Sequence, residues 1–176
     1  LKPASRARIE AYIRCVRELL AHGESEFEGR PQRIRWHGDA VRSEVPISIC
    51  AEGPRMLHLT GRVANGVIAG TGLTPEVVSD TIRRIEGGAQ AEGRDPNDVE
   101  IWFTTRSSLH LDRQTAIDEV RGSVSSILNH AMRFGLEGKN VPDDLKARVQ
   151  EYVDGYVLYD HVQNHGENPR RMEALG

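Results

Sequence analysis

Cysteine is scarce in this 176-residue chain, with only Cys15 and Cys50 present. They stand far apart, and no Cys-x-x-Cys spacing exists to build a disulfide framework, a zinc knuckle or a dithiol redox site. Cys15 falls on a helical face and Cys50 in an apolar run, so both are expected to be buried free thiols, which suits a reducing cytoplasm. Positive charge is not in excess, since the formal net charge is -3. That argues against a nucleic-acid or anionic-membrane partner. The basic group Arg30, Arg33, Arg35 and Arg42 is therefore assigned to a solvated face. No run approaches the ~18 apolar residues of a membrane span, and no signal peptide is expected at the start. The first residue is Leu1, which suits a processed start or part of a longer polypeptide. Nucleophile elbow, P-loop and dinucleotide fingerprint are all missing, because Gly70-Thr71-Gly72 lacks the rest of a Rossmann signature.

What is present is alternation of short apolar runs with helical patterns. Ile9, Ile13, Val16, Leu19 and Leu20 recur at three- and four-residue steps, which predicts a helix from Ala4 to Ala21 stopped by Gly23. The polar segment ESEFEGRPQRIRW follows, a hairpin or ordered loop with a turn at Gly29-Arg30-Pro31. Val45 to Ala51 then reads as a strand buried on both faces. It meets Gly53-Pro54, with Pro54 at the first position of a helix that ends at Asn65-Gly66. A second apolar run, Val67 to Ala69, leads into Gly70-Thr71-Gly72. Thr74 as N-cap, Pro75 as first residue and Glu76 against the dipole open a third helix, with Val78, Ile82 and Ile85 inward and Gly93 as its end. After the turn Asp95 to Asp98 comes a third strand, Val99 to Thr104. Two long helices are predicted near Arg113 to Phe134 and Pro142 to Tyr159, and a polar tail from Asp160 turns at Gly166 to Pro169.

Strands separated by helical segments pair in parallel with right-handed crossovers, so the class is α/β. A closed barrel takes eight strands and ~250 residues, and only three strands are legible here. Two strand exits invite a ligand. Ala51-Glu52-Gly53-Pro54 and Gly70-Thr71-Gly72-Leu73-Thr74-Pro75 each put glycine before a helix N-terminus, where free N–H groups favour an anion. Glu52 opposes a phosphate at its own side chain. His161 and His165 stand four apart, but the residues between them supply no His-Glu-x-x-His base, and no metal site is assigned. His165 is the candidate catalytic proton donor. His22, His37, His58, His110 and His130 show no grouping, and Trp102 is placed in the core. Trp36 stands as a single aromatic.

The run VPISICAEGPRMLHLTGRVANGVIAGTGLTPE resembles the luciferase-like family of flavin- and deazaflavin-dependent oxidoreductases. Its members show a valine–proline strand, a Gly-Pro turn, a helix ending in Gly-Arg-x-Ala-Asp/Asn-Gly, and a glycine-bearing turn. Here those are Val45-Pro46, Ala51 to Pro54, Gly61 to Gly66 and Gly70 to Gly72. The opening segment and EGRDPNDVEI are similar as well. The tail YDHVQNHGENP looks like the late region of relatives of methylene-tetrahydromethanopterin reductase.

The resemblance implies part of an eight-stranded (β/α)8 TIM barrel. Residues 1–176 would be the C-terminal portion of one domain, with the N-terminal strands absent. Strands six to eight would be Val45 to Ala51, Gly66 to Gly70 and Val99 to Thr105. It further implies a cytoplasmic oxidoreductase or monooxygenase and homo-oligomer, binding FMN or the deazaflavin coenzyme F-420 at the carboxyl rim with a small-molecule substrate. Cys50, Ala51, Glu52 and Gly53 would line the isoalloxazine or phosphate side, and Gly70, Thr71 and Gly72 the cofactor tail. Two other readings stand beside it. One is a cofactor-binding or interaction fragment without activity, whose open sheet edges would self-associate or take up the missing half. The other is an aldolase-type barrel, opposed by Lys2, Lys139 and Lys146 all lying off the strands.

Overall fold

The computed structural model describes residues 4–35 and 44–175. Lys2, Trp36, His37 and Arg42, singled out above, lie outside the described residues. Two compact units divide the chain: the described residues of Leu1–Ala51, Arg55–Ile68 and Thr81–Trp102, and those of Glu52–Pro54, Ala69–Asp80 and Phe103–Gly176.

In the first unit, helix α1 (Arg6–His22) starts where the Ser5 hydroxyl accepts the Arg8 N–H at 3.2 Å. It ends where Gly23 turns to φ 76° and returns its N–H to the Leu19 carbonyl. The polar segment is a hairpin, β1 (Glu24–Phe27) against β2 (Arg30–Arg33), antiparallel. Its turn is Glu28-Gly29, both at positive φ, and not Gly29-Arg30-Pro31. Two successive left-handed residues match the twist of the strands they join.

Strands β3 (Ser48–Cys50), β4 (Gly66–Ala69) and β5 (Glu100–Phe103) form one sheet in the order β3-β4-β5. β3 and β4 are parallel, with Ile49 opposite Val67. The Glu100 N–H reaches Asn65 O, and the Thr104 N–H reaches Ala69 O, each at 2.9 Å. Both bonds advance in the same direction, so β5 is parallel too.

Central β4 is buried apart from Ile68, while β3 has one covered face only. Ile49 packs against the core of Ile13, Leu59 and Val63, whereas Cys50 is exposed. The expectation of a strand buried on both faces, and of a buried Cys50, is thereby corrected. β3 lies at an edge, and its second face has no cover among the described residues. Trp102 on β5, the other edge, is 59% exposed and is not a core residue.

Helix α2 (Pro54–Val63) and the later turns of α3 (Pro75–Ala91) meet through glycine. A β-carbon on Gly61 would stand 1.9 Å from Ile85 O, and one on Gly88 would stand 2.0 Å from His58 O. Only the absence of side chains allows the backbones this near. Asn65 ties the unit together. Its N–H goes to Ile47 O at 2.8 Å, while its Oδ1 accepts from Ile47 N and the Arg17 guanidinium, both at 3.0 Å.

The second unit is mainly helical: α4 (Arg113–Met132), α5 (Lys146–Asp154) and α6 (Glu167–Glu173). Asp112 caps α4 by accepting the Thr115 N–H at 2.8 Å. The predicted helix from Pro142 to Tyr159 is shortened to α5, and the tail expected to be a turn at Gly166 to Pro169 is α6. Buried Asn168 accounts for both changes. Its side chain accepts the Val157 N–H at 2.9 Å and donates to Val157 O at 2.7 Å, and its own N–H is taken by buried Asp160 at 2.7 Å. Side-chain bonds of this kind offer the backbone an alternative to continued helix.

Candidate functional site

The strands being parallel, the residues that follow them leave the sheet at one edge. Glu52 follows β3, Gly70 follows β4 and Thr104 follows β5. All three belong to the second unit and converge. Glu52 Oε1 lies 2.9 Å from where a β-carbon on Gly70 would be, and Thr104 Oγ1 lies 3.5 Å from the same point. The hollow left by Gly70 thus has a carboxylate on one side and a hydroxyl on the other. Neither the Glu52 carboxylate nor the Thr104 hydroxyl has a hydrogen-bond or ion-pair partner among the described residues.

Electrostatics at Glu52 are divided. Burial pushes its carboxyl above the ordinary carboxylate value, and the charges of His130, Lys139 and Arg133 pull it part of the way back. These cations come from the end of α4 and the loop after it. Burial lowers the Lys139 ammonium, and Glu52 partly restores it. The Lys139 ammonium donates to Ala131 O rather than to the carboxylate. The loop is fixed beside it by Asn140, at φ 57°, whose Nδ2 donates to Asp80 at 3.1 Å.

The remaining predicted positions are placed as follows. Gly53 has open space around its missing side chain. Gly72 adopts φ 110°, a conformation that side chains rarely take, just before Thr74. Thr74 Oγ1 accepts the Val77 N–H at 3.4 Å and opens α3 as its cap. Cys50 is the exposed last residue of β3, and Ala51 is buried with its N–H on Ile68 O at 3.1 Å.

His165 is exposed, its carbonyl accepting from Arg170 at 3.2 Å. His161 pairs through Nδ1 with the Tyr156 hydroxyl at 2.7 Å. Residues 161–165 are not helical, so the four-residue spacing does not put the two histidines on one helical face. No cluster of three or more metal-ligating side chains occurs among the described residues.

Sequence reasoning missed Thr104, His130, Arg133 and Lys139. Thr104 was detectable as the residue leaving the third strand. The three cations carried no spacing pattern that would single them out.

The model of the family described as luciferase-like monooxygenase matches residues 2–173. The chain belongs to that family. An F420-dependent glucose-6-phosphate dehydrogenase of Nakamurella multipartita is 26% identical over 97% of this chain and 52% of its own length. A 5,10-methylenetetrahydromethanopterin reductase of Methanolobus tindarius is 29% identical over 78% of the chain and 42% of its own. Among solved structures, the coenzyme F420-dependent tetrahydromethanopterin reductase of Methanopyrus kandleri superposes with a TM-score of 0.59 at 22% identity, covering 92% of this chain and 49% of that one. That likeness concerns the fold, which is α/β with a parallel sheet. The chain spans about half the length of these relatives.

Proposed function

We propose that this chain forms part of an F420-dependent oxidoreductase acting on a small molecule, with the cofactor at the carboxyl ends of the parallel strands. Membership of the luciferase-like family, together with relatives named as F420-dependent enzymes, supports this reading and favours the deazaflavin over FMN. Glu52, Gly53, Gly70, Thr71 and Gly72 are the residues assigned to the cofactor, with Cys50 and Ala51 as the strand residues that lead into them. His165 is retained as a candidate proton donor. A deazaflavin, when bound, supplies two-electron hydride chemistry, and the protein contributes position and electrostatics.

The residues present fit such a group in a particular way. The bare backbone at Gly70 allows a planar ring to approach, and the unpartnered Glu52 carboxylate and Thr104 hydroxyl accept hydrogen bonds from its N–H or O–H edges. They suit a phosphate poorly, because the carboxylate repels it.

Titrating the protein with coenzyme F420 and with FMN, followed by cofactor fluorescence, tests the assignment. Saturable quenching of F420 and none of FMN is the expected result. FMN binding alone, or binding of neither, overturns it. A second reading, a cofactor-binding or interaction fragment without turnover, is favoured by the 59% exposure of Trp102 on an edge strand. It predicts F420 binding without substrate-dependent reduction, and self-association in size-exclusion chromatography.

A further inference from the structure

Three positive side chains, His130, Arg133 and Lys139, lie within electrostatic reach of the hollow at Gly70. Glycine-bearing turns at helix entrances with cations nearby attract anions. One residue reverses that tendency here. Glu52 stands immediately before Gly53-Pro54, and its carboxylate reaches over Gly70 to within 2.9 Å of the absent β-carbon. It makes no ion pair with the cations; the Lys139 ammonium is spent on the Ala131 carbonyl. The carboxylate therefore neutralises the field of the cationic group while keeping its own oxygens free to accept. Thr104 adds a hydroxyl, able to accept or donate, on the far side of the same hollow.

We propose that Glu52 is a specificity-determining residue that sets this site to take an uncharged, hydrogen-bond-donating ligand group, a hydroxyl or a ring N–H, and to reject a phosphate there. The inference rests on the hollow being the ligand site of the proposed function. A half-buried carboxylate without a partner gains a hydrogen bond when a donor arrives, and a neutral–ionic bond is of the stronger kind. An incoming phosphate brings like charge against that carboxylate in a partly desolvated place, where repulsion is much larger than in water. Removing the negative charge leaves the three cations unopposed, and the same turn becomes an anion site. Glu52 thus decides the sign of the ligand without altering the fold around it.

The test compares wild type with Glu52→Gln, Glu52→Ser and Glu52→Asp by titrating inorganic phosphate into isotope-labelled protein at neutral pH. The amide signals of Gly70, Thr71 and Gly72 are followed. Removal of one nearby charge is expected to tighten phosphate binding by at least about tenfold in Glu52→Gln and Glu52→Ser. Glu52→Asp, which keeps the charge, should behave as wild type and controls for disturbance of the turn. Equal phosphate affinity in all four proteins overturns the proposal, as does tight phosphate binding by the wild type. The readout needs no bound cofactor. If phosphate discriminates among the variants while F420 binds none of them, the cofactor assignment fails and the role of Glu52 stands. If F420 binds and phosphate does not discriminate, the reverse holds.

Discussion

The carboxylate of Glu52 occupies space that belongs to the side chain Gly70 does not have, with Oε1 2.9 Å from the missing β-carbon. The two residues are consequently one structural decision. A methyl group at position 70 would meet the mobile end of a long side chain and not backbone. Gly70→Ala is expected to fold with a stability loss of no more than about 1 kcal/mol, since an off-rotamer shift of the glutamate relieves the contact. The cost should vanish in a Glu52→Ala background. A double-mutant cycle read by chemical denaturation measures this coupling, and additive effects would show that the two residues do not touch.

Much of this arrangement was legible in the chain. The turns at Glu52 and Gly70 announce themselves through glycine, proline and a capping threonine, because each of those residues has a local backbone reason to be there. Helices α1 and α3 were readable from their periodicity for the same reason. The hidden parts depend on tertiary contact. Cys50 and Trp102 sit in apolar runs that predict burial, yet they point away from the only core their strands share. Asn168, a polar residue in a polar tail, gives no hint that it is buried and holds Val157 and Asp160. His130, Arg133 and Lys139 become a group only when the end of α4 folds toward the strand exits.

A carboxyl raised by burial costs stability when it must ionise. The folded state prefers Glu52 protonated more than the unfolded chain does, so its contribution is most favourable below the unfolded carboxylate value and is lost as pH rises through the folded one. Glu52→Gln is therefore expected to raise Tm at neutral pH, with the advantage shrinking as the solution is made acidic. Thermal unfolding of both proteins across that range checks the sign. A lower Tm for the glutamine variant at neutral pH would mean that the cations repay the burial in full.

Tyr152 titrates in the other direction of practical pH. Burial pushes its phenol up to about 12, opposed in part by its hydrogen bond with Ser125. The hydroxyl lies 2.6 Å from Ser125 Oγ and donates to Ser125 O at 2.7 Å. The folded protein holds this proton while the unfolded chain releases it, so stability from Tyr152 is complete below about pH 10 and disappears between about 10 and about 12. Tyr152→Phe should lose about 1–2 kcal/mol at neutral pH, from the Ser125 groups left without their partner. It should also flatten the alkaline limb of the stability profile, measured by denaturation in steps from pH 9 upward.

Two adjacent glycines in α3 give predictions of opposite sign. Alanine is the better helix former by about 0.8–1 kcal/mol, so a Gly→Ala change in a helix interior stabilises wherever there is room. At Gly87 there is room: an added β-carbon would find its nearest neighbour, His58 Nδ1, at 4.0 Å. At Gly88 there is none, because the His58 carbonyl oxygen would stand 2.0 Å away and the Arg62 nitrogen 3.2 Å. Backbone atoms cannot step aside as a side chain does, and forcing α2 and α3 apart costs about 1–3 kcal/mol or more, which exceeds the propensity gain. Gly87→Ala is expected to raise the denaturation midpoint and Gly88→Ala to lower it, by roughly equal and opposite amounts or with the loss larger. Equilibrium unfolding in urea decides the matter. If both substitutions stabilised, α2 and α3 would not be packed through His58 and Gly88 in solution.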